Sequence, residues 1–292
     1  MRIVHFSDLH VGCWSRDPSA LLDKRLLGTL NYFLRRRPSF LRGLLPRALL
    51  WIQRLAPDWI ICTGDLTCVG APEEFAAGVA ALKPLVDRAA GRFLFVPGNH
   101  DAYVRNRRCR AALEAAVATL NAGRFSLGDL PLEVRLGALR LFLVDESCPS
   151  GLIMSSGQLP AAAQARLAAW LAAPRESGEK RLLVGHFPLR DRRGRPLPWR
   201  RGVHGAELLR AALAQGQVDY ALCGHEHCPY LRRETSGAVE VCAGALMLYG
   251  RLNVLDYSPA TGAIIQSWVD VAGDEEAPAL LGPELAAAGL PK

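Results

Sequence analysis

The side chains best suited to chemistry gather in five short segments: Asp8-Leu9-His10, Gly64-Asp65, Gly98-Asn99-His100-Asp101, Gly185-His186 and Gly224-His225-Glu226-His227. Five of the seven histidines fall within them, leaving only His5 and His204 outside. Carboxylates, a carboxamide and imidazoles are the donors that hold divalent cations. Two such cations, about 3.5–4 Å apart, hold a hydroxide between them and clamp a phosphate opposite it, provided that one carboxylate bridges. Taken singly, Asp-x-His and Gly-Asp are common accidents, Gly-His-x-His is moderately specific and Gly-Asn-His-Asp more so. Their joint occurrence is what packing alone does not explain.

The neighbours of these segments show how they are positioned. Asp8 and His10 stand two apart at the end of an apparent strand, which aims both side chains the same way, and His225 and His227 repeat the spacing. Apolar runs Trp59–Cys62, Phe93–Val96 and Leu182–Val184 each lead through a glycine to Asp65, Asn99 and His186. Open α/β sheets carry their sites at the carboxyl ends of their strands, so five strand ends are expected to converge on one patch. His5 lies inside the first strand and reads as a packed histidine. His204 reads as a residue at the start of a helix.

Strands are expected over Ile3–Phe6, Trp59–Cys62, Phe93–Val96, Leu139–Val144, Leu182–Val184 and Tyr220–Cys223. A late β-rich stretch follows at Val239–Ala243, Leu252–Asp256 and Ala263–Val269. Helices are expected over Pro46–Leu55, Pro72–Ala89, Arg110–Ala122, Pro160–Ala172 and Ala206–Ala214. The early strands are apolar on both faces, as in a sheet covered on each side. The last three lack intervening helices and suggest antiparallel hairpins. Together these elements predict an α/β fold in which two mixed sheets pack face to face with helices outside, a four-layer αββα sandwich over residues 1–270, with a loosely attached tail over 271–292.

The five segments, in this order and with these neighbours, resemble the calcineurin-like metallophosphoesterases from Asp8 to His227, and no ligand position is replaced. The resemblance implies the same sandwich and a set of roles. Asp8, His10, Asp65 and His227 would hold one metal, and Asp65 would bridge to a second held by Asn99, His186 and His225. His100 would contact the scissile phosphate and protonate or stabilise the leaving oxygen, with Asp101 orienting it. Glu226 would face away. A mixed nitrogen and oxygen set accepts Mn, Fe or Zn. Asp23-Lys24-Arg25-Leu26-Leu27-Gly28, Asn31-Tyr32 and Arg35–Arg37 are similar to bacterial cyclic-nucleotide-phosphodiesterase-like members, and also to the basic cover of the UDP-diacylglucosamine hydrolases. The latter often carry arginine where this chain has His100. The implied activity is hydrolysis of a phosphodiester or phosphoanhydride in a nucleotide or nucleotide-linked lipid.

Charge is placed unevenly. Nine basic and two acidic residues lie between Arg16 and Arg54, an excess equal to the net charge of +7 for the whole chain. The part over about 16–45 reads as a basic helical insertion, and Leu21–Leu45 is also rich in leucine and aromatics. Such a stretch is expected to lie on an anionic membrane surface or to cover an anionic substrate, unless its apolar side simply packs on the body. Loop arginines Arg105, Arg108, Arg192 and Arg193 follow two of the five segments and are candidates for binding substrate phosphate through their forked donors. A nucleic-acid groove would need aromatic platforms, whereas these aromatics share a helical pattern with leucines, so nucleic acid is not expected. The first strand starts within two residues of the N-terminus, leaving no room for a secretory signal, and no apolar run is long enough to span a bilayer. The eight cysteines lack paired zinc spacing. These features predict reduced thiols and a cytoplasmic protein, peripheral on the membrane if the insertion binds it.

Overall fold

The structure, a computed structural model, describes residues 1–41 and 43–273 and the backbone of residues 280 and 281. Most of the expected tail, and Arg42 in the insertion, lie outside the described residues. In chain order the elements begin with β1 (Arg2–Phe6), α1 (Lys24–Asn31), a π-helical turn (Tyr32–Arg36), α2 (Arg37–Ser39), α3 (Leu44–Leu55), β2 (Trp59–Cys62), α4 (Pro72–Ala89), β3 (Phe93–Phe95) and α5 (Arg107–Leu120). Then come β4 (Leu132–Leu136), β5 (Leu139–Leu143), β6 (Gly157–Gln158), α6 (Ala161–Ala172), β7 (Lys180–Val184), β8 (Val203–His204), α7 (Glu207–Ala214) and β9 (Tyr220–Cys223). The chain continues through β10 (Tyr230–Arg233), β11 (Val239–Cys242), α8 (Leu246–Tyr249), β12 (Arg251–Ser258), β13 (Ala263–Asp270) and β14 (Leu280–Leu281).

The two large sheets are mixed, as expected. One has the order β14-β13-β12-β1-β2-β3 and the other β10-β11-β9-β7-β5-β4. Within them β1-β2-β3 and β5-β7-β9-β11 run parallel. Alternation along β5, β7 and β9 explains the layering, because successive side chains face opposite sides. Leu141, Leu182 and Leu222 join the core shared with Ile3, Ile61 and Phe95 of the other sheet. Phe142, Leu183 and Ala221 face the other way, onto Leu167 of α6 and Leu209 of α7. Helices α3, α4 and α5 cover the first sheet through Trp51, Leu82 and Val117.

Two expectations differ in detail. Of the three late strands, β12 and β13 pair with each other as an antiparallel hairpin, whereas β11 pairs antiparallel with β10, a strand not expected from the sequence, and so runs parallel to β9 on its other side. The edge strand β4 also escaped the sequence reading, since Glu133 and Arg135 alternate with its apolar residues and only Leu136 is buried.

The insertion is helical and fastened to the body. Arg25 is fully buried and holds Asp17, Asp23 and Ser19. The Lys24 ammonium donates to the Ser150 carbonyl at 2.8 Å and lies 4.0 Å over the Tyr103 ring. Tyr32, Phe33, Phe40 and Tyr103 pack with Cys68 and Val69. Its outer side remains apolar: Leu22 is 89% exposed and Leu34 73%.

Candidate metal centre

All five segments lie just beyond the carboxyl ends of parallel strands β1, β2, β3, β7 and β9, so the topology brings them to one rim. The local geometry is not the strand alternation expected. Asp8, His10, Asp65, His225 and His227 all have left-handed backbone, with φ of 57°, 48°, 52°, 67° and 59°. The other non-glycine residues of positive φ are alanines at helix ends. A left-handed conformation is costly for a residue with a Cβ, and such outliers concentrate at functional sites. Here the left-handed turns fold the chain at the strand ends so that these side chains turn in toward the rim.

Ligand atoms of Asp8, His10, Asp65 and His227 all lie within 4.8 Å of one another. Nε2 of His10 is 3.1 Å from Nε2 of His227, and Oδ1 of Asp8 is 3.5 Å and 3.4 Å from these two nitrogens. Asp65 stands between two groups: its Oδ2 is 3.8 Å from Nε2 of His10 and 3.4 Å from Nε2 of His186. On the far side, Nδ1 of His225 meets Oδ1 of Asn99 at 2.9 Å. Asp8 Oδ1, Asp65 Oδ2, His186 Nε2 and His225 Nε2 are buried without a hydrogen-bond partner. Leaving a polar atom buried and unpaired costs about 1–3 kcal/mol, so four in one place are a strong fit to cations that would be ligated by them. The histidines are braced from behind, as ligating imidazoles are: Nδ1 of His186 faces the Thr63 carbonyl at 2.6 Å and Nδ1 of His10 the Thr67 carbonyl at 3.3 Å.

Electrostatics favours the ligating protonation states of the carboxylates, His225 and His227, and sets His186 apart. Burial would raise the Asp8 carboxyl, but His10, His186 and His227 hold it down, at about 2. Burial likewise opposes the charged form of Asp65, yet His186 and His100 keep it well below the usual carboxylate range. Burial pushes His225 down to about 3 and His227 to about 4. Burial also opposes a charge on His186, but Asp65 and Asp8 carry it up to about 10. That imidazole takes the proton that a cation beside Asp65 would displace.

His100 is aimed at the same point, but its support differs from the expectation. Asp101 does not touch its ring. The Asp101 carboxylate accepts from the amides of Thr67, Gly98 and Leu66 and from the Thr67 hydroxyl, tying the loop after β2 to the loop after β3. The ring is oriented by the Cys68 carbonyl, 2.5 Å from Nδ1, and stacks on Tyr103. With Nδ1–H donating to Cys68, Nε2 faces the cluster as an acceptor. Burial first, and then the nearby Arg36, hold His100 well below its ordinary pKa.

The remaining candidates spread out. Arg105 is exposed and lines a cleft of about 370 Å³ with Lys24, Tyr103 and Ser150, on the far side of Tyr103 from His100. Arg192 lies beside Cys228, next to His227. Arg108 and Arg193 are exposed, and the structure gives neither a side-chain contact with the cluster. Glu226 turns outward to Arg201 at 2.8 Å. His5 is a core residue bonded to Thr63 and Asn253, and His204 is exposed on β8. Sequence reasoning missed Tyr103, the Cys68 carbonyl and, above all, Arg36, whose guanidinium reaches both His10 and His100. No spacing signal marks Arg36 apart from its two arginine neighbours.

This fold and this rim of aspartates and histidines are those of a metallophosphoesterase, with a cluster able to hold a dinuclear divalent metal site. Residues 1–229 match the calcineurin-like phosphoesterase family, and the chain belongs to it: the protein is a phosphoester hydrolase. Among solved structures it is similar to a dimetal phosphatase from Danio rerio, at 14% identity and TM-score 0.62, covering 92% of this chain and 95% of that one. It is also similar to the sulfate thiohydrolase SoxB of Thermus thermophilus, at 16% identity and TM-score 0.52, covering 98% of this chain. A putative 5'-nucleotidase from Staphylococcus aureus matches at 17% identity and TM-score 0.51 over 96% of this chain. The chain spans 59% and 54% of the last two proteins. No curated protein matches the chain in sequence.

Proposed function

We propose that the protein hydrolyses a phosphodiester or phosphoanhydride of a nucleotide or nucleotide-linked lipid, at a site of two divalent metals. The observation that carries this is the set of four buried, unpartnered ligand atoms on Asp8, Asp65, His186 and His225, facing His10, His227 and Asn99. Asp8, His10, Asp65 and His227 would hold one metal and Asn99, His186 and His225 the other, with Asp65 shared. When bound, the metals supply an activated water and neutralise charge on the phosphoryl group. The chain's own residues do the rest. The carbonyls of Thr63, Thr67 and Cys68 orient three imidazoles, and the Asp101 carboxylate locks two of the loops together. His100, through Nε2, is set to contact the phosphate and, once that nitrogen has taken up a proton, to steady or protonate the leaving oxygen. The donor set is compatible with Mn, Fe or Zn.

The substrate reading draws on the insertion. It crosses beside His100, carries basic residues and lines the cleft with Lys24, which suits an anionic leaving group. Its outward leucines, next to exposed Arg35 and Arg37, suit the surface of an anionic bilayer, where each basic residue near the surface contributes about 1 kcal/mol. Among the described residues no helix is long and apolar enough to cross a membrane. The test is hydrolysis of bis-p-nitrophenyl phosphate with added Mn, followed by a panel setting cyclic nucleotides against UDP-linked lipids. Co-sedimentation with phosphatidylcholine vesicles, with and without phosphatidylglycerol, tests the surface. Binding should need the anionic lipid, weaken in high salt, and fall when Arg35, Arg36 and Arg37 all become Gln. Selective turnover of cyclic nucleotides, with no vesicle binding at low salt, would move the reading to a soluble nucleotide phosphodiesterase.

A further inference from the structure

Arg36 ends the π-helical turn of the insertion and, among the described residues, is the one of that segment that reaches the metal cluster. Its Nη1 lies 3.1 Å from Nδ1 of His10, and its Nη2 donates to Nε2 of His100 at 3.2 Å. Among the described residues no carboxylate pairs with it, whereas Arg25 of the same insertion is paired with Asp17 and Asp23. A guanidinium offers five donors in a planar fork suited to a phosphate. Among the described residues its side-chain partners are two imidazole edges, and with Nδ1 of His10 turned to the Thr67 carbonyl the close acceptor is Nε2 of His100. Such a cation held against a site built for two dications is repelled unless an anion lies between them.

The placement is built, not incidental. π-Helical turns are rare and gather at functional sites. This one follows directly on α1, whose helix is pinned by the buried Arg25 network. Inside the turn, Tyr32 is buried with its ring directly over Gly12, two residues after His10: a Cβ on Gly12 would stand 2.5 Å from that ring. Tyr32 therefore seats the turn on the loop that carries Asp8 and His10, and Arg36, one helical turn further on, is aimed between His10 and His100. The neighbouring Arg35 and Arg37 are exposed.

We propose that Arg36 is the anion-binding residue of this site, holding a non-bridging oxygen of the substrate phosphate on the side opposite the metal cluster. The inference rests on the phosphoester-hydrolase reading and adds to it a residue outside the ligand motifs. It also makes the insertion a fixed wall of the phosphate pocket. His100 and Arg36 then form a pair: the imidazole that now accepts from Nη2 shares the phosphate with it once substrate is present.

The test is equilibrium dialysis of labelled orthophosphate against the Mn-loaded full-length protein, with metal content measured in the same samples. Wild type should bind phosphate. Arg36→Gln should bind about 10- to 100-fold more weakly, the loss of a charge-assisted contact, with unchanged metal content. Arg36→Lys, which keeps the charge but loses the fork, should fall between. Arg88→Gln, an exposed arginine on α4, controls for net charge and should match wild type. Phosphate affinity of Arg36→Gln within twofold of wild type overturns the proposal. So does loss of metal in that variant, which would assign Arg36 to the architecture of the cluster. Failure of wild type itself to bind metal or phosphate overturns the phosphoester-hydrolase reading along with it.

Discussion

A methyl group on Gly224 should weaken metal binding although no ligand is changed. Gly224 precedes His225, and a Cβ built there falls on the Ser7 hydroxyl and on Oδ2 of Asp8. Neither neighbour has room to move. Both are fully buried, and Oδ2 of Asp8 already accepts from the His225 amide at 3.1 Å. The alanine must therefore displace either the Asp8 carboxylate or the backbone before His225. Overpacking of this kind costs about 1–3 kcal/mol, and the lost charge-assisted hydrogen bond about 1.5–3 kcal/mol. Together they destabilise the metal-free protein by roughly 3–5 kcal/mol, a fall in Tm of about 10 °C at the ~2–4 °C per kcal/mol usual for large domains. Disturbing a ligand's support typically costs about 10–100-fold in metal affinity. Calorimetric titration of Mn into chelator-treated Gly224→Ala measures this. The control is Gly237→Ala, at a left-handed glycine with φ of 88° and open space around it, at the opposite end of β11 from the cluster. It should lose about 1–2 kcal/mol through backbone strain and no metal affinity. If Gly224→Ala bound Mn within twofold of wild type, the Asp8 carboxylate would not be a metal ligand as placed here.

Three further outcomes are expected. His100→Asn should keep its metals and lose about 10²–10⁴-fold in rate, the usual range for acid–base help, most severely on esters of poor leaving groups; equal losses on p-nitrophenyl and alkyl esters would remove the leaving-group role. Saturating Mn at about 100 times its Kd should stabilise the protein by about 2.7 kcal/mol, or roughly 5–10 °C in Tm, and a chelator should reverse it; an unchanged melting curve would contradict the fit of the buried ligand atoms to cations. Glu74, buried under the amides of Cys13, Cys68, Val69 and Ala71, is pushed by burial from 4.5 up to about 7. A raised folded pKa makes the neutral acid the stabilising form. Its contribution is full below pH 4.5 and is lost as pH rises through about 7, amounting to about 3 kcal/mol at 1.36 kcal/mol per pH unit. Chelator-treated wild type should therefore lose Tm between pH 5 and pH 8.5 more steeply than Glu74→Gln.

That the five segments meet was legible because each follows an apolar run long enough to be a buried strand, and a buried parallel strand must end somewhere. The topology that gathers Asp8, Asp65, Asn99, His186 and His225 on one rim follows from those ends. The left-handed turns at Asp8, His10, Asp65, His225 and His227 were not legible, because a sequence does not display the backbone strain that tertiary packing imposes. The edge strands β4 and β10 were hidden by charged residues, as edges commonly are. The family resemblance implied that Asp101 orients the His100 ring; only the folded loops show the Cys68 carbonyl in that place. Arg36 was visible as charge but not as direction, since its aim depends on a π-turn seated by Tyr32 on Gly12.

The central claim is that two metals share Asp65. Metal content per chain, measured with turnover of bis-p-nitrophenyl phosphate on wild type and Asp65→Asn, tests it most directly. The expected result is two metals per wild-type chain, with most of the metal and the turnover lost in a variant whose circular dichroism is unchanged. An Asp65→Asn protein that retained both metals and near-normal turnover at saturating Mn would contradict it.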